Sequence, residues 1–175
     1  MRSFIVAFVA LIGATLGANA QCVVGNQVPP TRFNSFNAGG GYIFASGVST
    51  TTQAGTLQSI SIWSNSSGST LVVGMYKNDG ASGTPGSLIG TTAAFTAAAG
   101  WNTVNTTTHP SVAASQGIYF AVIDEASADD LYYDVVTGQT TYWGGAGGAT
   151  SLPSTYSVGG TEATSSSVIA YATLN

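Results

Sequence analysis

The residues able to do chemistry are few and unevenly placed. Five of the seven acids, Asp124, Glu125, Asp129, Asp130 and Asp134, fall within residues 124–134. Glycoside hydrolysis needs two carboxylates flanking the bond, one of them held protonated by its surroundings. Oxygen ligands from an irregular loop also suit a hard cation such as calcium, although no EF-hand spacing is present. The ordinary role of such clustered acids is a solvated turn, with calcium binding as the alternative. His109 is the only histidine, in Thr107-Thr108-His109-Pro110, and no serine sits in a G-x-S-x-G elbow. One histidine and one cysteine give a transition metal no ligand set. The expectation is therefore no catalytic residue, no metal ligand and no cofactor.

Binding has better material. Tyr142 and Trp143 precede a glycine-rich run at 144–148, and Tyr132 and Tyr133 lie close to Asp134. Flat amphipathic rings beside polar side chains can lie against the C–H face of a sugar. The candidate ligand-binding residues are Trp143, Tyr142, Tyr132, Tyr133 and Asp134; the competing role for the rings is core packing or covering a sheet edge. Trp101 follows the turn glycine Gly100 and is expected in the core, whereas Trp63 falls on the serine face of its strand.

The elements that must position these residues can be read in order. Arg2, an apolar run over 4–16 and Ala18-Asn19-Ala20 have the form of a secretory signal peptide cleaved after residue 20. That run is too short to span a bilayer, so no membrane insertion is expected. Gln21 before Cys22 departs from a lipobox, which wants a small residue there. Residues 21–41, with Pro29-Pro30 and Gly39-Gly40-Gly41, read as an N-terminal arm or irregular first strand, and residues 42–175 as one β-sandwich domain.

Within that domain residues 57–63 alternate, with Ile60 and Ile62 on one face and Ser59, Ser61 and Trp63 on the other. A period of two marks a half-buried strand. Residues 71–76 are apolar on both alternating sets, as in a strand covered on both sides, and residues 118–123 repeat that pattern. Asp79-Gly80 tolerates positive φ, and Pro85-Gly86 has the residues of a type II turn. Further strands are expected over 42–48, 139–143 and 168–174, with a strand and then a loop over 90–104. Residues 124–134 read as a loop. Many short strands with Gly, Pro and Asn turns, and no helix, give an all-β antiparallel sandwich of jelly-roll-like order.

Composition narrows the partners. Charged residues are 6% of the chain, against about 25% in typical soluble domains. Without Arg2, two bases (Arg32, Lys77) face seven acids, a net charge of 2 − 7 = −5. Two cations cannot neutralise a row of phosphates, which excludes nucleic acid and anionic membrane surfaces. Cys22 is the single cysteine, so no disulfide forms within the chain. Asn65-Ser66-Ser67 and Asn105-Thr106-Thr107 are glycosylation acceptors if the chain passes a eukaryotic secretory pathway.

Four stretches carry a resemblance: V-G-M-Y-K-N-D-G from Val73, G-T-P-G-S-L-I-G from Gly83, A-G-W-N-T-V from Ala99 and G-I-Y-F-A-V from Gly117. The order is similar to that of a β-sandwich module of bacterial secreted and phage-associated proteins. The usual pattern there is G-I-Y-x-D-x-x-G-x-P-G-x-L-L, then G-W-N-x-V, then a Y-W-L-A-V strand, and Phe120 stands here where Trp is common. The similarity spans residues 56–174 and rests on turn and core positions. It implies a carbohydrate-binding or adhesive accessory without shared catalytic residues. The expected function is thus that of a secreted, non-catalytic sandwich that attaches to or recognises a glycan or other cell-surface ligand. The alternative is a structural subunit of a filament, coat or matrix, self-associating through its N-terminal arm.

Overall fold

The computed structural model describes residues 21–30, 34–35, 40–65, 67–124, 132–134, 138–145, 147–164 and 167–175. The expected leader over 1–20 and the acids Glu125, Asp129 and Asp130 lie outside the described residues. The strands are β1 (Cys22–Gly25), β2 (Asn34–Ser35), β3 (Ile43–Thr50), β4 (Gly55–Ser64), β5 (Thr70–Lys77), β6 (Leu88–Thr91), β7 (Phe95–Thr96) and β8 (Gly100–Asn105). They continue as β9 (Ser111–Val112), β10 (Gly117–Asp124), β11 (Tyr132–Asp134), β12 (Thr140–Gly144), β13 (Val158–Thr164), β14 (Ser167–Val168) and β15 (Ala170–Leu174). Among the described residues no helix is long and apolar enough to cross a membrane.

Two antiparallel sheets form the sandwich expected from the sequence. The smaller runs β1-β15-β4-β8, with β9 also on β4; the larger runs β13-β12-β3-β10-β5-β6, with β7 also on β5. A third, short sheet is β14-β11-β2. The chain crosses repeatedly between the two main sheets, so that β4 lies in one while β3 and β5 lie in the other. The closing strand β15 fits between β1 and β4.

The alternation in β4 is realised as read: Ile60 and Ile62 are buried between the sheets with Val73, Met75, Phe120 and Val122. Complete burial of such side chains contributes about 1.5–3 kcal/mol each. The double-sided pattern of β5 and β10 is realised too. Val72, Tyr76, Tyr119, Ala121 and Ile123 point to the far face of the larger sheet, where Leu152 and Tyr156 cover them. Residues 149–158 act there as a strap. Tyr76 Oη donates to Pro153 O (2.7 Å), and Tyr156 Oη lies 3.0 Å from Ile43 O and 2.9 Å from Tyr142 O. The strap also satisfies the edge at β6 through Leu88 N to Ser154 O (2.9 Å) and Tyr156 N to Gly86 O (2.8 Å). An unpaired edge is thereby closed.

Gly74 explains how the strap can sit so low. A Cβ at this position would overlap Leu152 Cδ1 and come within 3.1 Å of Gly90 O. Gly74→Ala should therefore lift the strap and cost about 1–3 kcal/mol, as overpacking does. The denaturant midpoint should fall accordingly. An unchanged midpoint would mean that Leu152 is not pinned against β5.

Several local expectations need correction. Asp79-Gly80 and Pro85-Gly86 do not form turns by positive φ: Gly80 has φ −74°, and the left-handed residues of this loop are Ser82 (57°) and Gly83 (74°). Glycine is required at 86 by close approach, because a Cβ there would overlap Asp79 Oδ1. That oxygen accepts the Ser87 N–H at 2.6 Å, which holds the Asp79 carboxyl below its ordinary range. The strand and then loop expected over 90–104 is instead three strands: β6 and β7, which both pair with β5, and β8, which pairs with β4. Tyr132–Asp134, read as loop, pair as β11 with β2 and β14.

Candidate functional site

Tyr142 and Trp143 are neighbours on β12 and so point to opposite faces of the larger sheet. Tyr142 turns toward the strap, with its ring 5.9 Å from that of Tyr119. Trp143 turns toward the smaller sheet, opposite Phe44 in register, and packs at the margin of the core between the sheets. Its ring lies over Gly159 and Gly160 of β13, at either of which a Cβ would overlap it. Tyr42 meets it edge-on at 6.4 Å. The two rings are not brought together on one surface. Tyr132, Tyr133 and Asp134 are placed by their backbone in β11, and their side chains lie outside what the structure describes.

The acids read as one loop are not alike. Asp124 is the last residue of β10, buried and opposite Leu71. Among the described residues no three of His, Cys, Asp and Glu come together as a metal site. His109 is exposed, and its Nδ1 lies 3.0 Å from Leu57 O. A carbonyl only accepts, so Nδ1 carries the proton in this contact.

A different surface gathers aromatic rings. On the outer face of the smaller sheet, away from the core, β4 and β8 place Trp63 opposite Trp101, and β15 places Tyr171 opposite Ser61. Trp63 and Trp101 meet edge to face at 5.5 Å and 88°. Trp101 and Tyr171 meet across β4 at 4.9 Å and 65°. Ser61 allows that second contact: its short side chain lies between the two outer strands and bonds Thr103 Oγ1 at 2.7 Å, leaving room for the rings above β4. All three rings are half-buried and belong to neither core cluster.

The turn before β8 fixes the central ring. Gly100 has φ +96°, which favours glycine, and the Asn102 amide bonds Ala98 N and Ala98 O, both at 2.8 Å. Trp101 is held between these two constraints. The same face continues along β8 with Thr103 and Asn105, both exposed, and along β15 with Thr173. None of these residues is acidic or basic. Such a surface offers apolar ring area and hydroxyl or amide hydrogen bonds but no charge, which suits a neutral polyhydroxylated ligand.

The placement of Trp101 reverses the expectation that it belongs to the core. The signal was available in part: Trp63 shares its face with Ser59 and Ser61, and Trp101 shares its alternate set with Thr103 and Asn105. Pairing of β4 with β8 was the missing information, because register alone decides which residues become neighbours. Tyr171 was less legible still, lying in a closing strand whose other residues are mostly buried. Compared with protein-family models and with curated proteins, the chain matches none.

Proposed function

We propose that the protein is a secreted, non-catalytic recognition module that holds a neutral glycan on the outer face of its smaller sheet. The observation that carries this reading is the Trp63–Trp101–Tyr171 cluster, three half-buried rings on an uncharged sheet face beside Ser61 and Thr103. Rings that serve only the fold belong on the core side of such a strand, where Ile60 and Ile62 already fill the space. Large rigid aromatics supply contact area at low entropic cost, and they dominate the energetics of binding surfaces. The scarcity of cations argues for neutral rather than anionic saccharides, since no row of lysines or arginines is available to pair with sulfate or carboxylate. Resemblance to secreted accessory modules points the same way.

A glycan array probed with the purified protein tests the proposal. Neutral polysaccharides should bind, and binding should survive high salt because no charge pairs carry it. Retention only by sulfated or uronic-acid glycans would remove the chemical basis of the site. Absence of any glycan binding, together with ordered polymers on size-exclusion chromatography, would favour the structural-subunit alternative.

A further inference from the structure

Trp101 stands at 88° to Trp63 and at 65° to Tyr171. It is steep to both neighbours, so the three rings cannot lie in one plane. A crystalline polysaccharide presents a flat array of parallel chains, and holding it calls for coplanar rings that touch several adjacent units at once. Here the cluster is compact, with centroids 5.5 and 4.9 Å apart, and it is confined to the end of β8 nearest the 98–102 turn. Its ring surface suits one sugar unit approached from the side.

The reachable polar groups form a line. Thr103 and Asn105 follow Trp101 on the outer face of β8, and both are exposed. The neighbouring strands add nothing comparable, because Ser59, Ser61 and Thr173 are buried. Hydrogen bonds to a ligand therefore come from β8 alone. Alternate residues on one face of a strand are about 6.7 Å apart, which sets Thr103 and Asn105 against successive units of a chain. From Trp101 to Asn105 the strand rises about 13 Å, roughly the length of a trisaccharide. Small side chains flank the track at both ends, Ala98 and Ala99 before it and Thr106 and Thr107 after it.

We propose that the ligand is a single free polysaccharide chain laid lengthwise along β8, with one unit against the rings and the next on Thr103 and Asn105. This rests on the glycan reading of the Trp63–Trp101–Tyr171 face and adds the form in which the glycan is held. Thr103 Oγ1 shares one hydrogen bond with Ser61 Oγ at 2.7 Å and keeps capacity for a second partner. The Asn105 amide offers both a donor and an acceptor. Sugar hydroxyls, which give and take hydrogen bonds, match both groups. Because the flanking side chains are small, the track takes internal segments of a chain and needs no chain end.

The test is isothermal titration of the purified protein with linear cello-, manno- and N-acetylchito-oligosaccharides, each from the disaccharide to the hexasaccharide. Pull-down on microcrystalline cellulose and crystalline chitin accompanies it. In at least one series affinity should climb about tenfold or more from the disaccharide to the tetrasaccharide, the gain from about 1.4 kcal/mol of added hydrogen bonding. It should then level off, since units beyond Asn105 meet no further partner on β8. Asn105→Ala, a change at an exposed position, should remove most of that gain. Retention on a crystalline powder without affinity for any hexasaccharide would overturn the single-chain assignment and leave the glycan reading standing. Equal affinity for disaccharide and hexasaccharide would do the same, as would an undiminished length dependence in Asn105→Ala. Failure of every soluble and crystalline probe would overturn the proposal too, and a blank glycan array beside it would remove the reading on which it rests.

Discussion

Trp101→Ala should weaken binding of a neutral polysaccharide by about thirtyfold or more while the protein stays folded. Trp101 is the middle ring of its cluster, in contact with Trp63 on one side and Tyr171 on the other. Truncating a central aromatic anchor typically removes about 2 kcal/mol or more of binding energy, and each 1.4 kcal/mol is a factor of ten. The stability cost is smaller than for a core ring. Two aromatic pairs, at about 0.5–1.5 kcal/mol each, are lost from a half-exposed face. A fully buried Trp would instead cost about 3–5 kcal/mol. Trp143→Ala should behave more like the core case, because that ring packs over Gly159 and Gly160 beside Phe44. Isothermal titration and thermal melts of the two variants separate these outcomes. If Trp101→Ala binds normally while a folded Trp143→Ala does not, the ligand site lies at β12.

Which parts of this arrangement were legible follows from what a side-chain pattern records. Burial on one face or two was visible in β4, β5 and β10, because alternation reports the environment of each face directly. The strap was half visible. Double-sided apolarity in β5 required a cover, yet in residues 149–158 the large side chains that supply it are Leu152 and Tyr156, separated by Pro153, Ser154 and Thr155. Strand β13 was hidden for a physical reason. Its Val158-Gly159-Gly160 start argues against a strand by propensity, but the glycines are what allow Trp143 to lie flat across it. Turn glycines misled in the opposite sense. Gly80 and Gly86 look like conformational glycines and are needed for close packing against Thr84 and Asp79. A glycine in a sequence reports a missing Cβ; only the fold distinguishes a steric need from a torsional one.

Register was the decisive unknown for the site. Trp63, Trp101 and Tyr171 lie in three separate strands, and each has a polar neighbour two residues away: Ser61, Thr103 and Thr173. Shifting β8 by one residue against β4 would turn Trp101 inward and bring Asn102 onto the outer face. The aromatic cluster exists because β8 pairs Trp101, and not Asn102, with Trp63. Asn102 then takes the role of closing the 98–102 turn that fixes that register. Taken one at a time, the three rings carry no sign of that pairing.

Raising the pH should unfold the protein cooperatively above pH 10, through the tyrosines that tie the strap and the 79–87 loop to the larger sheet. Tyr76, Tyr119 and Tyr156 are all buried, and each phenol donates to a backbone carbonyl: Pro153 O, Gly83 O, and the Ile43 and Tyr142 oxygens. Burial pushes all three upward from 10.0. Tyr119 reaches about 12, with the nearby Tyr142 adding to the rise, while in Tyr156 the neighbouring Tyr76 adds to it. Raised folded-state values mean that the native state keeps its phenolic protons when the unfolded chain has lost them. Their contribution is therefore complete below about pH 10 and declines as pH climbs above it. Each tyrosine removes about 1.4 kcal/mol per pH unit in that window, so Tyr76 and Tyr156 together remove about 3. Tyr119 adds to the decline until it ionises in the folded protein near pH 12. Against a total stability of about 5–15 kcal/mol, two pH units are enough to consume much of the margin. Circular dichroism and tyrosinate absorbance should change together, since unfolding and ionisation are coupled. Tyr156→Phe should lower stability at neutral pH by about 1 kcal/mol through the lost hydrogen bond, yet flatten the alkaline decline by one proton. Titration of all the tyrosines near pH 10 with the circular dichroism unchanged would show that the strap does not seal these phenols from water.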